Sequence, residues 1–374
     1  MILKNDCRHF PGDKPCWFNK HEGAICDSCG HYSPVAFKIL IIKLDALGDV
    51  LRTTSILHAL KEKYPDSFIT WLTKNNAKDI FKNNPLVDEV LTIESPELTA
   101  ILLSTKYNLM IHPDASPTSA SLASIVNADE KKGYILNSLG KIEPLDDNAV
   151  EWLEMGAFDQ LKKKNTKTYQ QIIHEIAGLD YKQGKIIVNI TEDEQNFAKD
   201  FCIKNNLTKY DYLLGINSGS SKRWKLKQWR LEGFIELIKE LKKTDNVGIL
   251  LYGGKEEQEQ NEQLKKVFPD MIDTGSDNSL REFFALMSLP DIVITGDTLA
   301  LHAAAALGKK TICLFGPTSY NEIEDYGLIE KVYPDMECLV CYLNECAKSP
   351  NCMDLISSKM VLDKVNKLKI TILH

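Results

Sequence analysis

Short apolar runs that each end at a turn and lead into a stretch of helical spacing recur along this chain, and they leave few folds open. The first is Phe37-Lys38-Ile39-Leu40-Ile41-Ile42, the pattern of a strand buried on both faces of a parallel sheet. After the turn from Asp45 to Asp49, the residues Val50, Leu51, Thr54, Leu57 and Leu60 recur at helical spacing. That helix should stop near Tyr64-Pro65, because proline cannot continue it. Phe68 to Leu72 predicts a second strand, a polar helical stretch runs to Pro85, and Val87 to Ile93 and Tyr107 to His112 predict two more strands. Residues 146–183 turn helical and polar, and a linker is expected over 180–190. The alternation then restarts, with strands at Tyr212–Ile216, Val247–Leu251, Asp291–Thr295 and Thr311–Phe315. Helices are expected at Trp229–Leu241, Glu256–Val267, Leu280–Met287 and Thr298–Leu307, with helical spacing again from Ile356 onward.

Strand–helix alternation of this kind is an α/β fold, here two doubly wound Rossmann-like domains facing each other across a cleft. The length of 374 residues suits about two domains. The expected division is a cysteine-rich extension over 1–35, a first domain over 36–185 and a second over 186–337. A cysteine-rich segment with a terminal helix returning to the first domain then covers 338–374. Apolar residues at 44% and charged residues at 26% exclude a disordered, collagenous or mucin-like chain. The net charge of −7 argues against a general nucleic-acid binder. No apolar run approaches the ~18 residues of a membrane helix. The start is charged and lacks an apolar core, so no secretory signal is read and a cytoplasmic location is expected.

Several signatures are missing. No two glycines are separated by one residue, so the dinucleotide fingerprint G-x-G-x-x-G is absent, as is the phosphate loop G-x-x-x-x-G-K-[ST]. H-E-x-x-H and G-x-S-x-G are absent too, and no two aspartates are spaced i, i+2 to hold a divalent cation against a diphosphate. Phosphates would have to be held by helix N-termini and side chains.

Four junctions carry chemistry. Gly48-Asp49-Val50 sits where a buried strand hands over to a helix, at the carboxyl end where open α/β sheets bind ligands. Asp49 is placed either to take a proton from an incoming hydroxyl or merely to cap the helix. The stretch from Asn217 to Arg230 offers Ser218, Gly219 and Ser220, then five cations within nine residues interleaved with two tryptophans. Backbone N–H groups, hydroxyls and the Lys222 charge suit a diphosphate leaving group, although a solvated basic loop reads the same way. Gly253-Gly254-Lys255-Glu256-Glu257 lets a ligand approach the backbone, with a carboxylate at the helix start for ribose hydroxyls; an ordinary glycine turn is the alternative. Asp297, Thr298 and Leu299 open an alanine-rich helix, with His302 at i+4 from Thr298.

Taken in order, these stretches resemble glycosyltransferase family 9, the ADP-heptose:lipopolysaccharide heptosyltransferases. The likeness runs from about Phe37 to about Glu324. It is carried by ILIIKLDALGDVLRTTSILHALKEKYPDSFITWLT, INSGSSKRW, LYGGKEEQ, TGDTLALHAAAALG and LFGPT. The resemblance implies a GT-B fold, an acceptor in the first domain, a nucleotide-sugar in the second, and inversion at the anomeric centre with no cofactor or metal. It implies Asp49 as general base and Lys222 on the donor diphosphate, with Ser218, Gly219 and Ser220 beside it. Glu256 would hold the ribose, Glu257 being the competing register. Asp297, Thr298, Leu299 and His302 would line the diphosphate and sugar. Where the family often reads Asp-Thr-Gly, Leu299 replaces the glycine and restricts backbone approach to the phosphates. The acceptor would be an anionic glycolipid core at the inner membrane face, with Lys43, Arg52 and the basic run 222–230 as docking charges. A transferase or epimerase using another nucleotide-sugar, such as a UDP-sugar, and a non-catalytic nucleotide-sugar sensor remain open alternatives.

Eight of the ten cysteines lie in two terminal clusters, Cys7, Cys16, Cys26, Cys29 and Cys338, Cys341, Cys346, Cys352. Cys26-x2-Cys29 and Cys338-x2-Cys341 have the spacing that presents two thiolates to one ion, and the second cluster would equally suit an iron–sulfur centre. A structural zinc or iron–sulfur staple is expected, with free thiols or disulfides as the alternative. Cys202 and Cys313 sit in apolar segments and read as small buried hydrophobes.

Overall fold

Strand β1 (Lys38–Ile42) has Ile39, Leu40, Ile41 and Ile42 wholly buried, as its unbroken apolar run requires. The computed structural model describes residues 2–220 and 222–373, apart from the side chains of Lys222, Arg223 and Leu373. The first sheet also contains β2 (Phe68–Thr73), β3 (Glu89–Thr92), β4 (Tyr107–His112), β5 (Ala128–Leu136) and β6 (Ile142–Pro144), in the order β3-β2-β1-β4-β5-β6. All pairs are parallel except β5 with β6. The second sheet is parallel throughout, with β7 (Tyr212–Asn217), β8 (Val247–Tyr252), β9 (Ile272–Asp273), β10 (Ile292–Gly296), β11 (Lys310–Leu314) and β12 (Ile329–Val332) in the order β12-β11-β10-β7-β8-β9. Each is a doubly wound sheet whose strand order reverses once, between β1 and β4 and between β7 and β10.

The chain forms two compact units that are interleaved along the sequence. The first comprises the chain up to Asp45, Ile56–Val150 and Ile173–Gly184; the second comprises Ala46–Ser55, Glu151–Ile172 and Lys185 onward. The single helix expected from Val50 to Leu60 is two, Leu47–Thr53 and Ile56–Lys63. The break falls where Thr53 Oγ1 donates to Asp49 O at 2.6 Å and Thr54 Oγ1 to Leu51 O at 2.7 Å. Hydroxyls that bond back onto the ladder in this way bend or end helices. The polar stretch before Pro85 holds only a short 3-10 turn, Lys78–Phe81, among otherwise irregular backbone.

The terminal helix Ser358–Leu373, expected to cross back onto the first domain, is built into the second core. Val361, Val365 and Leu368 pack there with Leu237, Ile238 and Leu241 of the helix Leu231–Thr244. Trp229 Nε1 donates to Ile356 O at 2.9 Å just before it. An apolar stripe at helical spacing needs an apolar face to cover, and the helix Leu231–Thr244 supplies it. The N-terminal extension is docked within the first unit: Arg8 reaches Asp88 at 2.8 Å and the carbonyls of Asp66 and Ser67.

Gly133 lies in β5 at φ +93, where a Cβ would sit 1.9 Å from the His112 carbonyl oxygen. Gly133→Ala is therefore expected to lower the unfolding free energy by more than ~2 kcal/mol, through backbone clash as well as left-handed strain. Urea denaturation reads this, and an unchanged midpoint would contradict the close approach of β5 to β4.

Candidate active site

The second sheet reverses its strand order between β7 and β10, and the crevice at such a switch point is where open α/β sheets take ligands. Asn217 ends β7, and its Oδ1 accepts from Thr295 Oγ1 and Thr298 Oγ1, both at 3.2 Å. Thr298 is the N-cap of the helix Leu299–Ala306, accepting from Ala300 N at 3.2 Å. The helix therefore starts at the reversal, its N–H groups and positive dipole end turned toward whatever binds there.

Charges converge on this point. Lys227 Nζ lies 2.8 Å from Asp297 Oδ2, donates to Asp297 O at 3.1 Å, and sits over the Trp224 ring at 5.3 Å. Burial opposes charge on Asp297, but Lys227, His302 and Arg52 outweigh it and hold the carboxyl well below the usual range. The helix Leu47–Thr53 packs on Leu299–Ala306 within the same unit. A Cβ on Gly48 would meet His302 Cδ2 at 3.0 Å and the Leu299 Cα at 3.7 Å, so glycine permits this approach. Arg52 Nη2 and Nε contact Asp49 Oδ1 at 2.8 and 3.0 Å, and its guanidinium stacks 3.6 Å over the Tyr169 ring. Burial alone would lower the pKa of Arg52, yet Asp49, Tyr169, Asp297 and Glu322 hold it above its ordinary value. Asp49 Oδ2 accepts from Ala46 N at 3.4 Å, so the capping role is present beside any chemical one.

His302, 6% exposed, is held down to about 4 by burial and the Arg52 guanidinium, against the pull of Asp297 and Asp49. At neutral pH it is an uncharged imidazole. A folded-state pKa below the ordinary 6.5 means that protons favour the unfolded chain. Its stabilising contribution is complete above about pH 6.5 and is lost as pH falls toward 4. His302→Gln should therefore show a shallower loss of stability between about pH 6.5 and 5 than the wild type. Equal slopes in thermal denaturation across that interval would contradict the assignment.

The other expected residues fall into distinct places. Ser218 is buried with its Oγ donating to Asn261 Oδ1 at 2.8 Å, and Ser220 Oγ donates to Trp224 O at 2.7 Å, so both hydroxyls brace the loop. Glu256 is exposed, whereas Glu257 is half-buried, accepts from Gly254 N at 2.8 Å, and lies where side chains on Gly219 or Gly253 would stand. Burial raises the pKa of Glu257. The Lys222 side chain lies outside the described residues. Lys43 is in the first unit, buried and 3.2 Å from Asp114 Oδ1. A recess of about 500 Å³ opens at the carboxyl ends of β8 and β9, lined by Gly253, Asn261, Asp273, Asp277 and Asn278 among others.

All ten cysteines are free thiols. Among the described residues, no three of His, Cys, Asp or Glu are grouped to hold a metal ion, so the expected staples are not assembled from these side chains. Cys352 is nevertheless pushed up to about 11 by burial and by Cys341 and Cys346 nearby. In the sequence, Asn217 and Lys227 were only parts of the singled-out stretch 217–230 with no role of their own, and Tyr169, Glu322 and Tyr342 were missed because no local pattern marks them.

Two doubly wound sheets are the GT-B architecture, a fold this chain shares with solved glycosyltransferases. Residues 98–349 match the model of glycosyltransferase family 9 (heptosyltransferase), and the chain belongs to that family. Lipopolysaccharide heptosyltransferase 1 of Campylobacter coli is 24% identical over 355 residues, covering 88% of this chain and 98% of that protein. The enzyme of the same name from Salmonella typhimurium is 24% identical over 308 residues, covering 78% and 92%. The solved family 9 glycosyl transferase from Veillonella parvula superposes with a TM-score of 0.70 at 19% identity, over 90% of this chain and 98% of that one. E. coli ADP-heptose lps heptosyltransferase II gives 0.65 at 17%, over 90% and 99%. Among the described residues, no helix is long and apolar enough to cross a membrane.

Proposed function

We propose that this chain transfers a heptose from a nucleotide diphosphate sugar, ADP-heptose, to a hydroxyl of a lipopolysaccharide-core acceptor at the inner membrane face. The observation that carries the reading is the meeting of Asp49, Arg52, Lys227, Asp297 and His302 around the start of the helix Leu299–Ala306. The diphosphate would lie against that helix start, its charge balanced by Lys227, Lys222 and Arg52 in a mostly buried setting where such charges count heavily. His302, uncharged, would hydrogen-bond the phosphate or sugar without adding charge. Glu257 replaces Glu256 as the carboxylate facing the ribose, since it is the one folded under Gly219 and Gly253. The recess beyond it suits the base.

In this reading Asp49 takes the proton of the acceptor hydroxyl as the new glycosidic bond forms and the nucleoside diphosphate leaves with the electrons of the old one. Arg52 holds Asp49 through two contacts to Oδ1, which orients the carboxylate for the acceptor hydroxyl. Lys43, paired with Asp114, is the other residue proposed to dock the acceptor. Leu299 favours a second reading, a different nucleotide-sugar, because its backbone packs on Gly48 where the family often has glycine. Product analysis with ADP-heptose against UDP-sugars decides between them: a heptosylated acceptor is expected, and turnover of only a UDP-sugar would replace the first reading with the second.

A further inference from the structure

The second cysteine cluster brings a tyrosine into the charged crevice. Val340 N donates to Gly316 O at 3.2 Å and Tyr342 N to Pro317 O at 2.8 Å, so the segment lies along the turn that closes β11. A Cβ on Gly316 would sit 2.6 Å from Cys352 Sγ, so the segment's far end touches the same turn. From this strap the Tyr342 hydroxyl donates to Glu322 Oε1 at 2.9 Å and accepts from Ser319 N at 3.3 Å. The Tyr342 ring carries Lys162 Nζ at 4.1 Å and meets Trp224 edge-on at 6.3 Å.

Glu322 is 8% exposed, and its carbonyl accepts from Tyr169 N at 2.9 Å. Tyr169 in turn stacks under Arg52, and its hydroxyl shares a 2.9 Å hydrogen bond with Thr53 on the helix that bears Asp49. Arg52 is drawn by Glu322 and Asp297 as well as by Asp49. A guanidinium is a rigid plane, and the Tyr169 ring 3.6 Å beneath it, held by Tyr169 N on the Glu322 carbonyl, fixes the orientation of that plane.

We propose that Tyr342 and Glu322 are positioning residues of the transfer: Tyr342 fixes the Glu322 carboxylate, Glu322 with Asp297 holds the Arg52 guanidinium over Tyr169, and Arg52 so held fixes Asp49. The Cys338–Cys352 segment thereby completes the catalytic cluster rather than merely tying down a tail. The inference rests on the transfer reaction proposed above. Glu322 is hydrogen-bonded by Tyr342 and lies in the field of Arg52, Asp297 and Lys162. Burial already raises its pKa, and the tyrosine hydroxyl opposes that rise. Removing the hydroxyl should let Glu322 protonate at higher pH and release its hold on Arg52.

Full-length Tyr342→Phe tests this beside the wild type, with ADP-heptose and a deacylated core oligosaccharide. Loss of one hydrogen bond to a charged group should lower kcat by about tenfold, with the donor KM within about twofold. The acid limb of the kcat–pH profile should move to higher pH. Glu322→Gln should act in the same direction, and the double variant should be no slower than Glu322→Gln alone, because the two act in one chain. A wild-type rate and pH profile in Tyr342→Phe, or losses that multiply in the double variant, would overturn the proposal. If the wild type turns over no nucleotide-sugar, the proposed activity fails. The chain of contacts is then read by a double-mutant cycle on unfolding between Tyr342→Phe and Arg52→Lys, where coupling is expected and strict additivity overturns it.

Discussion

Asp49→Asn should lose turnover by on the order of 10²–10⁴-fold, the usual worth of a positioned general base, while binding the nucleotide about as well as the wild type. Asparagine keeps the size of the side chain and still caps a helix, so the Ala46 contact and the helix Leu47–Thr53 should survive. The substitution therefore separates the two roles that coexist at this position. A pure cap would show near-normal kcat and at most a small change in thermal stability. A base would show a collapsed kcat with normal ADP binding by calorimetry, beside only the modest loss of stability expected from weakening the Arg52 pair. Retained turnover removes Asp49 from the chemistry and leaves it as the partner of Arg52.

Lys227→Met should weaken both folding and nucleotide binding. The Lys227 ammonium lies 2.8 Å from a mostly buried Asp297 carboxylate, and stripping one partner from a buried pair costs about 3 kcal/mol. The same ammonium donates to the Asp297 carbonyl, two residues before the helix Leu299–Ala306 begins. Its loss should weaken ADP binding by roughly 10–100-fold, the value of a charged hydrogen bond. Lys227→Met with Asp297→Asn distinguishes the effects. The double variant should regain most of the denaturation midpoint, since no unpaired carboxylate remains, but should not regain ADP affinity. Recovery of both would mean that Lys227 serves only to neutralise Asp297.

The strands buried on both faces were legible in the sequence because burial on both sides demands an unbroken apolar run, as in β1, β7, β8, β10 and β11. β5 was not, since β6 covers it only from Tyr134 to Leu136, and the first half of ADEKKGYIL carries charges and shows no such run. β6 and β12, of three and four residues, are too short to show a period. The strand-to-helix junctions stood out for a related reason: the carboxyl ends of parallel strands are marked by glycine, hydroxyl and carboxylate residues between two apolar segments. Asp49, Asp297, Thr298 and His302 were found in that way, and the fold gathers them in one unit.

The period of the apolar pattern, a local property, was sufficient to determine two doubly wound sheets and which loops lie at their ligand-binding ends. Which charges meet there is a matter of distance between segments far apart in the chain, and no local period encodes it. Only the tertiary structure paired Lys227 with Asp297, turned Lys43 to Asp114, folded Glu257 rather than Glu256 beneath the glycines, and joined Tyr342 to Glu322 and Tyr169 to Arg52. It also assigned the helix Leu47–Thr53 to the second unit and the terminal helix to the second core. An apolar stripe specifies only that it must be covered, and the surfaces available in the folded chain decide by what.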